Sequence, residues 1–277
     1  MNDRSMFRSD FRQIVLGSSK HSRTTSNSFS VTDLNYTNFL PKFFCFHIKK
    51  YPSSLFLLLL TAFQLLVQEE TSQIIPPTVL ILLPLVLYDF LKNFLYLKSI
   101  LKCKSAINSY PARIWEESKF VEQTLSQVTE GDFVLVKRGE VVPADLVILA
   151  INSGTSFCCI DESNLFGRTD PKKKKPIKEI QEKLKTANLE NLHFHIRLIQ
   201  GQIKFSPPNS DLGSFKGFYK AYNSPTSFDL DIQNFVMQGT VLDKTEWLLG
   251  LAVYCGYDTK LSLNSYYAFA KLSSLDR

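Results

Sequence analysis

Lys172-Lys173-Lys174-Lys175 is the densest cationic run in the chain and directly follows the loop residues Phe166, Gly167, Arg168 and Thr169. Four successive ammonium groups suit phospholipid headgroups or an acidic partner, although charge runs commonly stay in water as solvated turns. His193 and His195, two apart in HFHIRLI, would share one side of a strand and could hold a metal, but no third ligand converges on them. Asp89 and Lys92 lie three apart, on one face of any helix that carries them, where they could pair. The five cysteines, Cys45, Cys103, Cys158, Cys159 and Cys255, form no CxxC pair and no zinc-type spacing with histidine. They read as reduced and structural. No metal or cofactor is expected on these grounds.

The elements that must position these groups change character along the 277 residues. Residues 1–33 hold ten Ser/Thr and five Lys/Arg among the first thirty, without a continuous apolar run, which predicts a mobile tail or an organelle-targeting segment. Residues 34–105 carry two apolar runs near 52–68 and 74–97, separated by a short polar link, which predicts a two-helix transmembrane hairpin. Lysines flank the outer ends of both runs and none lies between them, so both termini are expected on the cytosolic side, or its matrix equivalent if the membrane is the mitochondrial inner one.

From 106 to 265 short alternating runs take over: Ala112 to Trp115, Asp132 to Lys137, Leu146 to Ala150, Phe157 to Ile160, Phe235 to Met237 and Leu248 to Tyr254. Gly131, Gly139, Pro143, Gly154, Gly239 and Gly256 punctuate them, the pattern of a compact β domain. Glu179 to Ala187 reads as helical, Ser206 to Ser227 as a long exposed loop, and 266–277 as a tail. The predicted class is therefore an α+β membrane protein, with a lipid bilayer among its partners. The net charge of +6 is spread without aromatic interleaving, which argues against nucleic-acid binding.

Three segments carry a resemblance. Val128 to Leu149 reads VTEGDFVLVKRGEVVPADLVIL, a turn, an apolar strand and a Pro143-Ala144-Asp145 tripeptide. It resembles the actuator-domain signature of P-type ATPases. Asp161 to Asp170 is similar to the loop D-x-S-N-L-D-G-E-T-N of the phospholipid-transporting, P4 branch. Gly239 to Asn264, with Thr245-Glu246-Trp247, Gly250, Tyr254 and Gly256-x-Asp258-Thr259-Lys260, resembles a downstream segment of the same branch, and Phe39-Leu40-Pro41-Lys42 fits its approach to the first membrane helix. The resemblance runs from about residue 35 to 275. It implies a two-helix anchor and a distorted barrel- or jelly-roll-like actuator domain.

The chain also departs from that pattern. In the family, the Glu of the G-E-T loop helps water remove a phosphoryl group from an Asp in a DKTG motif, with ATP and Mg belonging to the full-length enzymes. Arg168 stands where that Glu is expected, Phe166 where the preceding acid is, and Asp170 in place of Asn. A guanidinium stays charged and cannot accept a proton from water. No DKTG occurs; Asp243-Lys244-Thr245 is followed by Glu246 and lies within the actuator match. Hydrolysis by this chain alone is not expected. The resemblance leaves three functions: a noncatalytic assembly subunit of a larger membrane complex, a split half working with a separate catalytic chain in lipid transport, or an incomplete stretch of an active enzyme. The Glu-to-Arg change disfavours the third.

Overall fold

The computed structural model describes residues 11–16, 26–28, 34–51, 77–152, 156–167, 170–184, 191–222 and 226–264, with positions 56, 59, 60, 62, 63 and 189 besides. The chain divides into two units, residues 30–106 with 267–277, and residues 1–29 with 107–266.

In the first unit, helix α1 (Tyr36–Lys50) lies against helix α2 (Pro77–Asn108). Phe39, Phe43 and His47 recur every four residues and so form one stripe. Phe39 and Phe43 meet Phe90 of α2 at ring separations of 5.6 and 5.4 Å, and His47 Nδ1 lies 3.3 Å from Asp89 Oδ2. Asp89 thus pairs across the two helices.

The expectation of a transmembrane hairpin does not hold. Among the described residues no helix is long and apolar enough to cross a membrane. The uncharged start of α2, Pro77 to Tyr88, is about twelve residues or roughly 18 Å, against the ~30 Å of a hydrocarbon core. The helix then runs beyond the predicted end at 97 to Asn108, through Asp89, Lys92, Lys98, Lys102 and Lys104. The first predicted span, 52–68, lies almost wholly outside the described residues. The membrane-protein class and the two-span integral location are corrected accordingly, while the β-rich actuator-like domain stands.

That domain is the second unit. Its central sheet has six antiparallel strands: β2 (Pro111–Glu116), β3 (Lys119–Thr124), β4 (Phe133–Lys137), β5 (Asp145–Ile151), β11 (Phe235–Val236) and β13 (Trp247–Tyr254), ordered β11-β5-β13-β4-β2-β3. Every residue of β5 and β13 is buried, because both sheet faces are covered. Strand alternation divides them: Val147, Leu149, Trp247, Leu249, Leu251 and Val253 enter one core, and Leu146, Ile148, Leu248 and Ala252 the other.

The first core is closed by a four-stranded sheet of β1 (Arg12–Leu16), β8 (Gly201–Phe205), β9 (Gly217–Ala221) and β10 (Ser227–Leu230), through Ile14, Ile203, Phe205 and Tyr219. The second receives Cys158, Ile160 and Leu242 from a three-stranded sheet of β6 (Cys158–Asp161), β7 (Lys172–Lys174) and β12 (Val241–Asp243). Every alternating run predicted from the sequence contains a strand, with Asp132, Phe157 and Met237 falling just outside, but two local readings change. Ser206 to Ser227 holds β9 with Tyr219 fully buried, and HFHIRLI is not a strand: its first four residues complete a short helix, Leu192–Ile196, with Leu192 and Ile196 four apart in the core.

Within the stretch expected as a tail, β1 pairs with β8 in full register, Arg12 opposite Phe205 and Leu16 opposite Gly201. Asn27 is fully buried. Its amide donates to the carbonyls of Leu125 (3.1 Å) and Pro143 (2.7 Å) and accepts from the Gly256 N–H (2.8 Å). Gly256 has φ +58°, and a Cβ there would lie 2.6 Å from the Ser26 carbonyl oxygen, so close approach of this segment requires glycine.

Candidate functional site

The loop that resembles the hydrolytic loop grows out of β6. At its end the Asp161 carboxylate accepts from the Ser163 N–H at 2.8 Å, which starts the one-turn helix α3 (Ser163–Phe166). Bonding to that backbone and hydroxyl group keeps the Asp161 carboxyl below the usual carboxylate range. The turn closes on Gly167 at φ 65°, whose N–H donates to the Ser163 carbonyl at 2.8 Å. Space around Gly167 is open, so conformation alone demands glycine there. Leu165 anchors the turn against Gly239, where a Cβ would meet its side chain at 3.3 Å. Arg168 and Thr169 lie outside the described residues.

The lysine run returns beside this turn as β7, antiparallel to β6, with Ile160 opposite Lys172 and Cys158 opposite Lys174. Strand geometry then separates the four lysines. Lys172 places its Nζ 2.6 Å from the buried Glu162 carboxylate and 5.5 Å from the centre of the Phe166 ring. Lys173 lies over the Phe157 ring at 4.7 Å. Lys174 is buried and donates to the Ile232 carbonyl at 2.8 Å, and desolvation lowers its pKa although Glu162 pulls the other way. Lys175 is exposed, with its backbone N–H donating to the Gln233 carbonyl at 2.8 Å.

A second constellation joins the other two motif segments. Asp145 is fully buried, and its carboxylate accepts from the backbone N–H groups of Gln238 and Lys260, both at 2.8 Å. Burial pushes its pKa up to about 7, against the lowering effect of those bonds and of the Lys260 ammonium. Lys260 is itself buried; its Nζ donates to Asn209 Oδ1 (2.6 Å) and the Asp211 carbonyl (2.5 Å) and lies 5.8 Å from the Phe235 ring centre. Asn264 donates to the Ser210 carbonyl at 2.7 Å. Burial lowers the Lys260 pKa, opposed by Asp145 and Asp211. These groups hold loops together.

His193 and His195 sit on the short helix, and among the described residues no three His, Cys, Asp or Glu side chains gather as a metal site. Sequence reasoning singled out the loop from Phe166 and the lysine run, and the structure brings Phe166 and Lys172 together. It did not foresee Glu162 as the partner of Lys172, nor Asp145 as the joint between distant motifs. The polar residues of the PAD and GxDTK segments, occurring inside otherwise apolar strand ends, were the available signal.

The structure and motifs define an actuator-type β domain, and the comparisons agree. The P-type ATPase actuator domain family matches residues 106–244. This chain belongs to that family. It is 27% identical over 254 residues to human phospholipid-transporting ATPase VD, covering 91% of this chain and 17% of that protein. It is 26% identical over 268 residues to phospholipid-transporting ATPase C887.12 of Schizosaccharomyces pombe (96% and 20%) and 27% identical over 247 residues to phospholipid-transporting ATPase DRS2 of Saccharomyces cerevisiae (87% and 17%). The matches fall on the amino-terminal part of these P4-type proteins, and the chain spans about a fifth of their length. A zinc-transporting PIB-type ATPase solved in its E2.Pi state is 13% identical, with a TM-score of 0.32 over 57% of this chain and 16% of that one.

Proposed function

We propose that the chain is a noncatalytic actuator-type module whose fold serves assembly with other protein subunits of a larger complex. The observation that carries this reading is the loop Phe166-Gly167-Arg168-Thr169, which keeps the glycine turn but replaces the expected carboxylates by an aromatic ring and a guanidinium. Dephosphorylation in the resembling enzymes needs a group that orients and deprotonates water, and a permanently charged donor cannot do this. Lys172 lies over the Phe166 ring and pairs with Glu162, so the ring in place of the expected acid sits beside an ammonium already matched by a carboxylate.

A second reading, a split half that takes part in ATP-driven phospholipid transport with a separate catalytic chain, is favoured by the similarity to phospholipid-transporting ATPases over most of this chain. The two are separated by one preparation. The purified chain is tested for vanadate-sensitive ATP hydrolysis and for an acid-stable phosphoenzyme, and its copurifying proteins are identified. No activity and no DKTG-bearing partner is the expected result. A phosphoenzyme on this chain refutes the noncatalytic reading, and a stoichiometric DKTG-bearing partner replaces the assembly reading with the split-half one.

A further inference from the structure

We infer that the cleft beside the outer edge of β10 binds an extended peptide segment of a partner protein by strand addition. The inference rests on the assembly reading and names the chemistry of the partner. The cleft has a volume of about 710 Å³, within the usual range for ligand sites, and is lined by residues 175–178 and 228–231. Strand β10 ends its sheet and pairs only with β9 among the described residues, so its other edge presents unpaired peptide groups. Residues 228, 229 and 230 all line the cleft although their side chains alternate between faces. It is therefore the strand's edge that faces the opening.

Charge supplies polarity. Lys175 and Lys178 line the cleft from the segment after β7, Asp229 and Asp231 from β10 and the residue after it, together with Glu182, and all five are exposed. Among the described residues no ion pair engages Lys175, Lys178, Glu182 or Asp229. Asp231 is partly committed, capping the Gln233 N–H at 2.8 Å. Charges of both signs beside a strand edge that has no second strand among the described residues fit an extended segment carrying an acidic and a basic side chain about a strand's length apart. Peptide-to-strand hydrogen bonds would supply affinity and the charged side chains would fix its register. The four residues of β10 set the ladder at about four peptide residues.

The probe is a displayed library of random heptapeptides selected against the intact purified chain. The expected winners carry both charge signs and lose about tenfold or more in affinity for a Lys175→Glu/Lys178→Glu variant. They also lose binding when alternate backbone amides are N-methylated, which leaves the side chains intact. Both lysines are exposed, and an unchanged melting temperature verifies that the variant folds. Failure to enrich any peptide over that variant, or binding indifferent to N-methylation, overturns the inference. A phosphoenzyme would sink the noncatalytic reading and leave these results standing, so the two failures are distinguishable.

Discussion

Asp145 Oδ2 accepts the backbone N–H of Lys260 at 2.8 Å across 115 positions of sequence, while Oδ1 takes that of Gln238 at the same distance. One buried carboxylate thus fastens the start of β5 to the segments before and after β12 and β13. Asp145→Asn would turn an amide NH₂ towards one of two N–H donors, losing a bond and leaving a buried donor unmatched. The expected cost is about 1–3 kcal/mol, read by chemical denaturation above pH 7, where the carboxyl is ionised.

The same carboxyl gives a pH signature. Its folded pKa is raised to about 7 by burial, against 3.8 as the ordinary value. Between these values the folded protein holds a proton that the unfolded chain has released, so this group's contribution to stability is fully present below about pH 4 and lost as pH rises to about 7. The stability difference between wild type and Asp145→Asn should fall across that window and level off above it. Denaturation at pH 4.5, 6 and 7.5 measures it, and a flat difference counts against the raised pKa.

Gly250 interrupts β13 where a Cβ would sit 2.9 Å from both Cβ and Cδ1 of Leu146, beside a register shift between Leu249 and Gly250. Gly250→Ala should cost about 1–3 kcal/mol through overpacking. Leu146→Ala alone should cost about 2–5 kcal/mol through the cavity it leaves. Leu146→Ala removes Cγ and Cδ1 but keeps the Cβ, so the double variant should recover only part of the overpacking loss relative to their sum. Fully additive losses in a double-mutant cycle would show that the contact with Cγ and Cδ1 contributes nothing to the requirement for glycine.

Much of this architecture was legible. Asp132 to Lys137 and Leu248 to Tyr254 announce strands because apolar runs of strand length end in glycine and acidic turns. The lysine run hid β7, since three successive ammonium groups read as solvent-facing and nothing local reveals that Lys174 bonds the Ile232 carbonyl. HFHIRLI mimics a two-residue period, but the core takes Leu192 and Ile196 at helical spacing. The apolar run at 74–97 outweighed Asp89 and Lys92 in the sequence, whereas Asp89 is spoken for by His47. Asp145 and Lys260 were visible as motif residues, but their bond depends on long-range pairing that no local pattern encodes.

The Asn27 anchor makes the segment before residue 30 part of the β domain's stability. Asn27→Ala removes a buried amide and strands the Gly256 N–H, while the Leu125 and Pro143 carbonyls each lose one donor but keep the Val128 N–H and Gln238 Nε2. A loss of about 2 kcal/mol or more is expected, seen as a lower melting temperature together with faster proteolysis near residue 26. An Asn27→Ala chain that melts as wild type would show that water replaces the amide without penalty.

Lys172 and Glu162 test whether the altered loop is locked by its own ion pair. The lysine side chain is 48% exposed and the glutamate 4%, so the pair is half open to solvent and the strength of a fully buried bridge does not apply. Lys172→Ala leaves a nearly buried carboxylate without its cation and removes the ammonium from the Phe166 ring, for an expected loss of about 1–2 kcal/mol. Glu162→Gln removes the charge that needs compensating, so adding it to Lys172→Ala should restore part of the loss. Denaturation of the two single variants and the double measures the coupling. Restoring the loop carboxylate by Arg168→Glu is expected to yield no phosphoenzyme in any of these backgrounds, because the sequence holds no DKTG acceptor. Additive losses at Lys172 and Glu162 would mean that the lysine is positioned by β7 alone and that the loop's shape does not depend on the pair.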